Sequence, residues 1–156
     1  GVTADKVRAF RRESALLCSP RLRLGFLSAD FAMHPTMDLA YATMMSQSTS
    51  LLIFCYPLNP HDGSPLRTKV AKHLGSRWRD LGSRATDMEW ASAIAQDRID
   101  ILIQLNGHTE GTRLGICALR PAPIQVLALG YPGTSGVSYF DYVLADRTVV
   151  PPDHQT

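Results

Sequence analysis

The sequence alternates short apolar runs with segments of helical character, and this alternation limits the fold more than any other feature. The apolar runs predict strands at 21–29, 50–58, 78–81, 99–105, 124–129 and 141–146. The segments between them predict helices at 39–47, 64–74, 86–98 and 113–119. Strands that alternate with helices along a chain pair in parallel through right-handed crossovers. The sequence therefore predicts an α/β fold with a doubly wound, mostly parallel sheet.

Helix-capping signals set several of these boundaries. Thr86 and Glu89 have the Ser/Thr-x-x-Glu spacing of a capping box at the start of the third helix. Pro65 lies near the first turn of the second helix, where a missing N–H costs little. Asp38 is expected to cap the first helix. A further helix is predicted over 3–17, and the sequence Cys-Ser-Pro ends it before the first strand.

Composition excludes several classes of protein. Of 156 residues, 45% are hydrophobic and 19% are charged, which is typical of a folded domain. The net charge of +2 is too small to indicate nucleic-acid binding, and no apolar run reaches the ~18 residues of a membrane span. The three cysteines form no CxxC motif, and Cys55 lies in the apolar run LLIFCY, which predicts a buried thiol in the reducing cytoplasm. The chain opens on Gly1 without a signal peptide, and we expect it to come from the middle of a longer protein.

Three polar loops follow predicted strands and carry the candidate functional residues. They are SADFAMHPT (28–36), NGHTEG (106–111) and GYPGTSG (130–136). In a doubly wound sheet, ligands bind outside the carboxyl ends of the strands. If the strands have their usual order, these three loops converge on one rim of the sheet.

His34 is the candidate with the clearest chemistry. Pro35 forces an extended backbone on His34, and Thr36 lies near a helix start, where free N–H groups and the helix dipole favour anions. An imidazole beside such a site can contact a phosphate or sugar and can act as acid or base. The alternative is a histidine that only hydrogen-bonds a nearby backbone carbonyl.

The glycine loop and the NGHTEG loop are less decisive. The three glycines of 130–136 let backbone N–H groups approach a ligand, but a tight structural turn explains them equally well. The pattern is neither GxGxxG nor a P-loop, which disfavours a nicotinamide-dependent dehydrogenase. Asn106, His108 and Thr109 are as consistent with bracing as with binding. The histidines, cysteines and carboxylates have no metal-ligand spacing, so no metal is expected.

Four blocks in these segments carry a family resemblance. RLRLGFLSADFAMHPT, FCYPLNPHDGS, IDILIQLNGHTEG and LRPAPIQVLALGYPGTSG…FDYVLAD together resemble the catalytic region of the O-linked N-acetylglucosamine (O-GlcNAc) transferases and their SPINDLY-like relatives, especially bacterial ones. The resemblance implies that 21–156 form the Rossmann-like N-terminal lobe of a GT-B glycosyltransferase. It also implies that 1–20 connect this lobe to upstream helical TPR repeats, and that a second catalytic lobe completes the enzyme.

The resemblance implies a role for individual residues. His34 falls on the histidine that lies at the donor sugar in the family and has been proposed as catalytic base. Ala32 and Met33 precede it where relatives often have Gly and Asn, which affects the shape of this loop. Substrate contacts are implied for Pro35, Thr36, His108, Leu129, Gly130, Tyr131, Pro132, Gly133 and Thr134.

The implied reaction is an inverting, metal-independent transfer of N-acetylglucosamine from UDP-GlcNAc to Ser or Thr hydroxyls of an acceptor protein or peptide. No cofactor beyond this donor substrate is expected. In that reaction we expect His34 to act more by positioning and hydrogen bonding than as the sole base. The alternative from a different class is a non-catalytic module that binds sugar nucleotide or protein.

Overall fold

The computed structural model describes residues 21–128, 130–131 and 133–151, and a five-stranded parallel sheet forms their centre. The order of the strands across the sheet is β2-β1-β3-β4-β5. The strands are β1 (Leu22–Ser28), β2 (Leu51–Pro57), β3 (Ile101–Gln104), β4 (Ile124–Ala128) and β5 (Tyr142–Leu144). The predicted parallel α/β fold is confirmed.

Four α-helices and one short 3₁₀ helix connect these strands within the described residues. They are α1 (Pro35–Met44), α2 (Pro65–Leu74), the 3₁₀ helix Gly75–Arg77, α3 (Asp87–Gln96) and α4 (Leu114–Ala118). The capping box predicted for α3 is present, with reciprocal hydrogen bonds between Thr86 and Glu89. The helix predicted over 3–17 lies outside the described residues.

Helices cover both faces of the sheet. Successive side chains of a strand point to opposite sides, so each strand contributes apolar side chains to two cores. On one face, Phe26 lies beside Cys55 and Ile103 and packs with apolar residues of α1 and α2. On the other face, Leu27 packs with Trp90 and other apolar residues of α3 and α4. Cys55 is fully buried, as predicted. The sheet is therefore doubly wound.

Two boundaries differ from the sequence-based prediction. Helix α1 begins at Pro35 and not after Asp38, because the side chain of His34 takes the N-cap position. The strand predicted at 78–81 is absent, and only Trp78 forms an isolated bridge to Cys55. Trp78 thus adds one bridged residue beside β2, and 78–81 form no strand there.

The reversal of strand order places two of the candidate loops side by side. The chain passes from β1 outward to β2 and then crosses β1 to add β3, β4 and β5 on the other side. Such a reversal leaves a crevice between the two central strands at their carboxyl ends. The loops that follow β1 and β3 border this crevice, and the loop that follows β4 is next to them. The predicted convergence of the three loops is confirmed at the level of strand order.

Candidate functional site

The loop after β1 is held on its β3 side by Asn106. The Oδ1 atom of Asn106 accepts a hydrogen bond from the Ala29 N–H at 2.8 Å. Its Nδ2 atom donates to Asp30 Oδ2 at 2.7 Å and to Thr109 Oγ1 at 3.2 Å. Asn106 has no exposed surface, so these bonds satisfy a buried amide and join the two loops that border the crevice. The bracing role considered for Asn106 is what the structure shows.

The same loop is held on its β2 side by the segment that precedes α2. The Phe31 carbonyl accepts from Asn59 Nδ2 at 3.0 Å and from Arg67 Nη1 at 2.9 Å. Arg67 is fully buried, and its guanidinium also donates to the carbonyls of Asn59 and Pro60. A buried cation surrounded by carbonyl acceptors fixes the relative position of the two loops.

Asp62 makes a further contact that holds the loop after β1. Its Oδ2 accepts from the Met33 N–H at 2.8 Å, and its Oδ1 accepts from the Ser64 N–H at 3.0 Å. The backbone N–H groups of Ser64 and Met33 hold the pKa of the Asp62 carboxyl below its usual range, because they stabilise its charged form.

His34 is the N-cap of α1. Its Nδ1 atom accepts a hydrogen bond from the Thr36 N–H at 3.2 Å. An accepting Nδ1 carries no proton, so the neutral ring has its proton on Nε2 and offers a hydrogen-bond donor there. The side chain is 46% exposed, and Nδ1 lies 3.7 Å from Asp30 Oδ2. His34 therefore bonds a backbone N–H, and not the carbonyl considered as the alternative.

The first turn of α1 has its backbone donors engaged. Pro35 has no N–H, the Thr36 N–H reaches the His34 ring, and the N–H groups of Met37 and Asp38 both reach the His34 carbonyl. The free N–H groups expected at this helix start are therefore not available to an anion. Thr36 is only 4% exposed, so its side chain packs beneath the loop.

The loop after β3 is organised by a buried glutamine. Gln104 Oε1 accepts from the N–H groups of Asn106 at 2.9 Å and Gly107 at 2.7 Å. His108 Nε2 donates to the Ser135 carbonyl at 2.7 Å, and its ring makes a T-shaped contact with that of Tyr131, with 5.5 Å between the centroids. His108 thus connects the β3 loop to the glycine loop after β4.

Gly130 and Gly107 are required by close packing. A Cβ on Gly130 would lie 2.1 Å from the Leu105 carbonyl oxygen, which also accepts the Gly130 N–H at 2.9 Å. A Cβ on Gly107, whose φ is +59°, would lie 2.4 Å from the Cβ of Tyr131. The glycine loop therefore rests directly on the β3 loop. This supports the structural explanation for Gly130, whereas a Cβ on Gly136 of the same loop would meet nothing within 4 Å.

The remaining predicted contacts lie along the same loop. Tyr131, Gly133 and Thr134 are exposed. Leu129 and Pro132 lie outside the described residues. Among the residues that the structure describes, no group of three His, Cys, Asp or Glu side chains could hold a metal ion. Within the same residues, no helix has the length and apolar character needed to cross a membrane.

Sequence reasoning missed the residues that support the His34 loop. Asp30, Asn59, Asp62 and Arg67 were not singled out as site residues. One signal was available for Arg67, because it shares the spacing of the buried residues Val70 and Leu74 on α2. A cation on the apolar face of a helix predicts a buried polar partner.

Comparison with known proteins identifies the family. The model of glycosyl transferase family 41 matches residues 4–156. The chain is 43% identical over 132 residues to the UDP-N-acetylglucosamine–peptide N-acetylglucosaminyltransferase of Caenorhabditis elegans, a match that covers 84% of this chain and 11% of that protein. It is 39% identical over 132 residues to a probable UDP-N-acetylglucosamine–peptide N-acetylglucosaminyltransferase, SEC, of Arabidopsis thaliana, covering 84% of this chain and 13% of that protein.

A solved structure has the same fold. A mutant O-GlcNAc transferase of Thermobaculum terrenum superposes with a TM-score of 0.79 at 30% identity, over 97% of this chain and 30% of that one. This chain thus corresponds to a minor part of each of these longer proteins. The family model covers nearly all of its length, and the relatives and the fold agree with that match. The chain belongs to glycosyl transferase family 41.

Proposed function

We propose that this chain is the N-terminal catalytic lobe of a protein O-glycosyltransferase. The complete enzyme transfers N-acetylglucosamine from UDP-GlcNAc to Ser or Thr hydroxyls of an acceptor protein, with inversion and without a metal. The observation that carries this proposal is the meeting of the His34 loop, the Asn106 loop and the Gly130 loop at the reversal point of a family 41 sheet. The names of the relatives supply the donor and the acceptor class.

His34 contributes a hydrogen-bond donor in this proposal. Its Nδ1 is occupied by the Thr36 N–H, so the neutral ring presents Nε2–H to an oxygen of the donor sugar or diphosphate. A donor aimed at an oxygen that gains charge stabilises the transition state. Nδ1 accepts the Thr36 N–H, so its lone pair is not free to take a proton from the acceptor hydroxyl. This favours a positioning and polarising role for His34 over that of the sole base.

The glycine loop supplies the second wall of the donor site. We assign donor contacts to the backbone of Leu129 and Gly130, and to the exposed loop residues that follow. These are Tyr131, Pro132, Gly133 and Thr134. His108 joins this wall to the β3 loop through Ser135. Pro35 and Thr36 act through the shape of the His34 loop, because Pro35 opens α1 and Thr36 is buried.

The proposed enzyme has two further parts. A second lobe closes the cleft from the side opposite this lobe, and residues 1–20 of this chain connect the lobe to upstream TPR repeats. We assign the enzyme to the cytoplasm and expect the isolated lobe to be inactive. In this proposal, the partners of the complete enzyme are the donor UDP-GlcNAc and an acceptor protein or peptide.

The test is UDP release from UDP-GlcNAc by the full-length protein, with and without a Ser/Thr-rich peptide. The decisive variants are His34→Ala and His34→Asn, because asparagine is a good N-cap but lacks Nε2–H. His73→Ala, a change at the end of α2, is the matched control. Both His34 variants should lose about 100-fold in kcat, which is typical for removal of one transition-state donor.

Each outcome bears on a different part of the proposal. Wild-type activity in His34→Asn would reduce His34 to a helix cap while leaving the transferase assignment in place. An absence of UDP release by wild type, with UDP still bound, would favour the non-catalytic binding module. Peptide-dependent release that the His34 variants lose and the His73 variant keeps would support both parts.

A further inference from the structure

Met33 has little packing in the His34 loop. The residue is 89% exposed, whereas Phe31, two residues earlier, has no exposed surface. His34 itself is extended, with φ −146° and ψ 144°, and belongs to no strand. Among the described contacts, the one that ties the backbone of Met33 to another segment is its N–H bond to Asp62, 29 residues away.

Asp62 can fix the position of this loop relative to α2, because it contacts both. Its second carboxylate oxygen accepts from the N–H of Ser64, the N-cap residue of α2. Helix α2 is fixed in turn by the buried residues Arg67, Val70 and Leu74. A single exposed carboxylate thus connects a packed helix to the Ala32–Met33 peptide group, one residue before His34.

We propose that Asp62 is a positioning residue that holds His34 in its working geometry. The inference deepens the proposed function, because it requires His34 to contact the donor substrate. Asp62 acts at one remove, through the backbone of Met33, and contacts no reacting atom. Misplacement of a polarising group by about 1 Å can cost up to about 100-fold in rate.

The location of Asp62 separates this role from a structural one. Asp62 and Met33 are exposed, whereas Ser64 is only 5% exposed, so loss of the carboxylate removes the acceptor of one N–H in a buried residue. This loss can lower the melting temperature, but it does not touch the donor substrate. The expected signature is therefore a fall in kcat, measured well below the melting transition, with a nearly unchanged KM for UDP-GlcNAc.

The experiment compares Asp62→Ala, Asp62→Asn and Asp100→Ala in the full-length protein. Asp100 is the matched control, because it also accepts a backbone N–H from a distant segment, that of Arg23 at 2.7 Å, but at the amino end of the sheet. We expect kcat to fall about 10-fold in Asp62→Ala and less in Asp62→Asn, which keeps one acceptor oxygen. Asp100→Ala should keep the wild-type kcat. An unchanged kcat in Asp62→Ala, or an equal fall in Asp100→Ala, would overturn the proposal.

A double mutant shows whether the effect passes through His34. If it does, Asp62→Ala should cause no further loss of kcat in a His34→Ala background. Losses that multiply would mean that Asp62 acts elsewhere.

Hydrogen exchange provides a readout that does not depend on turnover. The peptide that covers 31–36 should exchange faster in Asp62→Ala and at the wild-type rate in Asp100→Ala. Unchanged exchange in Asp62→Ala would reject the anchoring role even if the wild-type protein proved inactive. A wild-type protein without UDP release would refute the proposed function separately.

Discussion

Replacement of Gly130 by alanine tests whether this glycine is required by protein packing rather than by a ligand. The new Cβ would lie 2.1 Å from the Leu105 carbonyl oxygen and 3.3 Å from Asn106 Cα. The first distance is about 1.2 Å inside the roughly 3.3 Å at which carbon and carbonyl oxygen ordinarily meet. Both atoms that would be struck belong to the backbone of the β3 loop, so no side-chain rotation can relieve the overlap.

The size of the destabilisation follows from the distance by which the glycine loop and the β3 loop must separate. A separation of about 1 Å between the two loops breaks the bond from the Gly130 N–H to the Leu105 carbonyl, a loss of about 1 kcal/mol. Overpacking strain adds about 1–3 kcal/mol. The expected local destabilisation of about 2–4 kcal/mol corresponds to a roughly 30- to 900-fold loss of hydrogen-exchange protection.

The assay is hydrogen–deuterium exchange of the full-length protein without donor, followed over the peptides that contain 105–109 and 130–136. Gly25→Ala is the control, because its Cβ would meet only side-chain atoms, the nearest 3.0 Å away on Ile99. Side chains can adjust, so this variant should cost about 1 kcal/mol. Protection at 130–136 that stays within threefold of wild type in Gly130→Ala would refute the packing argument and leave ligand binding as the reason for the glycine.

Three further predictions concern the cap of α3, the carboxylate of Glu89 and the two buried thiols. Thr86→Ala should weaken the first turn of α3 by about 1 kcal/mol, seen as faster amide exchange there, and Thr86→Ser should restore most of it. Hydrogen bonds from the N–H and hydroxyl of Thr86 lower the pKa of the Glu89 carboxyl. The carboxylate of Glu89 therefore stabilises the fold fully above the unfolded pKa of about 4.3. This stabilisation is lost as the pH falls through the lower folded pKa. Burial raises the pKa of Cys117 to about 12 and that of Cys55 further, so neither thiol should react with iodoacetamide at pH 8 before unfolding. Rapid labelling of either in the native protein would contradict the packing described here.

Local sequence signals predicted the elements whose causes are local. The capping box of α3 and the proline at the start of α2 are complete within a few residues, and both helices begin where expected. Asp38 misled the prediction for α1 because imidazole is an uncommon cap. The Nδ1 of His34 caps the helix four residues before Asp38, directly before Pro35. The run 78–81 has strand-like side chains, but strand formation depends on a partner that only Trp78 finds.

The candidate site was predictable in outline because topology alone brings the loops together. Adjacent parallel strands present their carboxyl ends at one edge, so the positions of His34 and Gly130 near one crevice follow from strand order. The contacts that fix them depend on pairs far apart in sequence. Asn106 and Asp30 are 76 residues apart, and Met33 and Asp62 are 29 apart. No periodicity or short motif encodes such pairs, so the supporting network emerges only from the folded chain.

Replacement of Asn106 by aspartate tests the network at its centre. The change is isosteric, but it puts a second carboxylate where the amide Nδ2 donates to Asp30 Oδ2 at 2.7 Å. Two like charges at this distance repel, and the lost charge-assisted bond alone is worth about 1.5–3 kcal/mol. One of the two carboxyls can relieve the repulsion by keeping a proton, which then restores a hydrogen bond. Because the folded variant then binds protons more readily than its unfolded chain, its stability deficit should be large at pH 7 and shrink as the pH falls toward about 4.

Asn106→Ala, which removes the same bonds without adding charge, should show a deficit that does not depend on pH in this way. Melting temperatures of both variants against wild type at pH 7, 5.5 and 4.5 decide the matter. Parallel deficits for the two variants at all three values would mean that Asn106 and Asp30 do not interact as the structure places them.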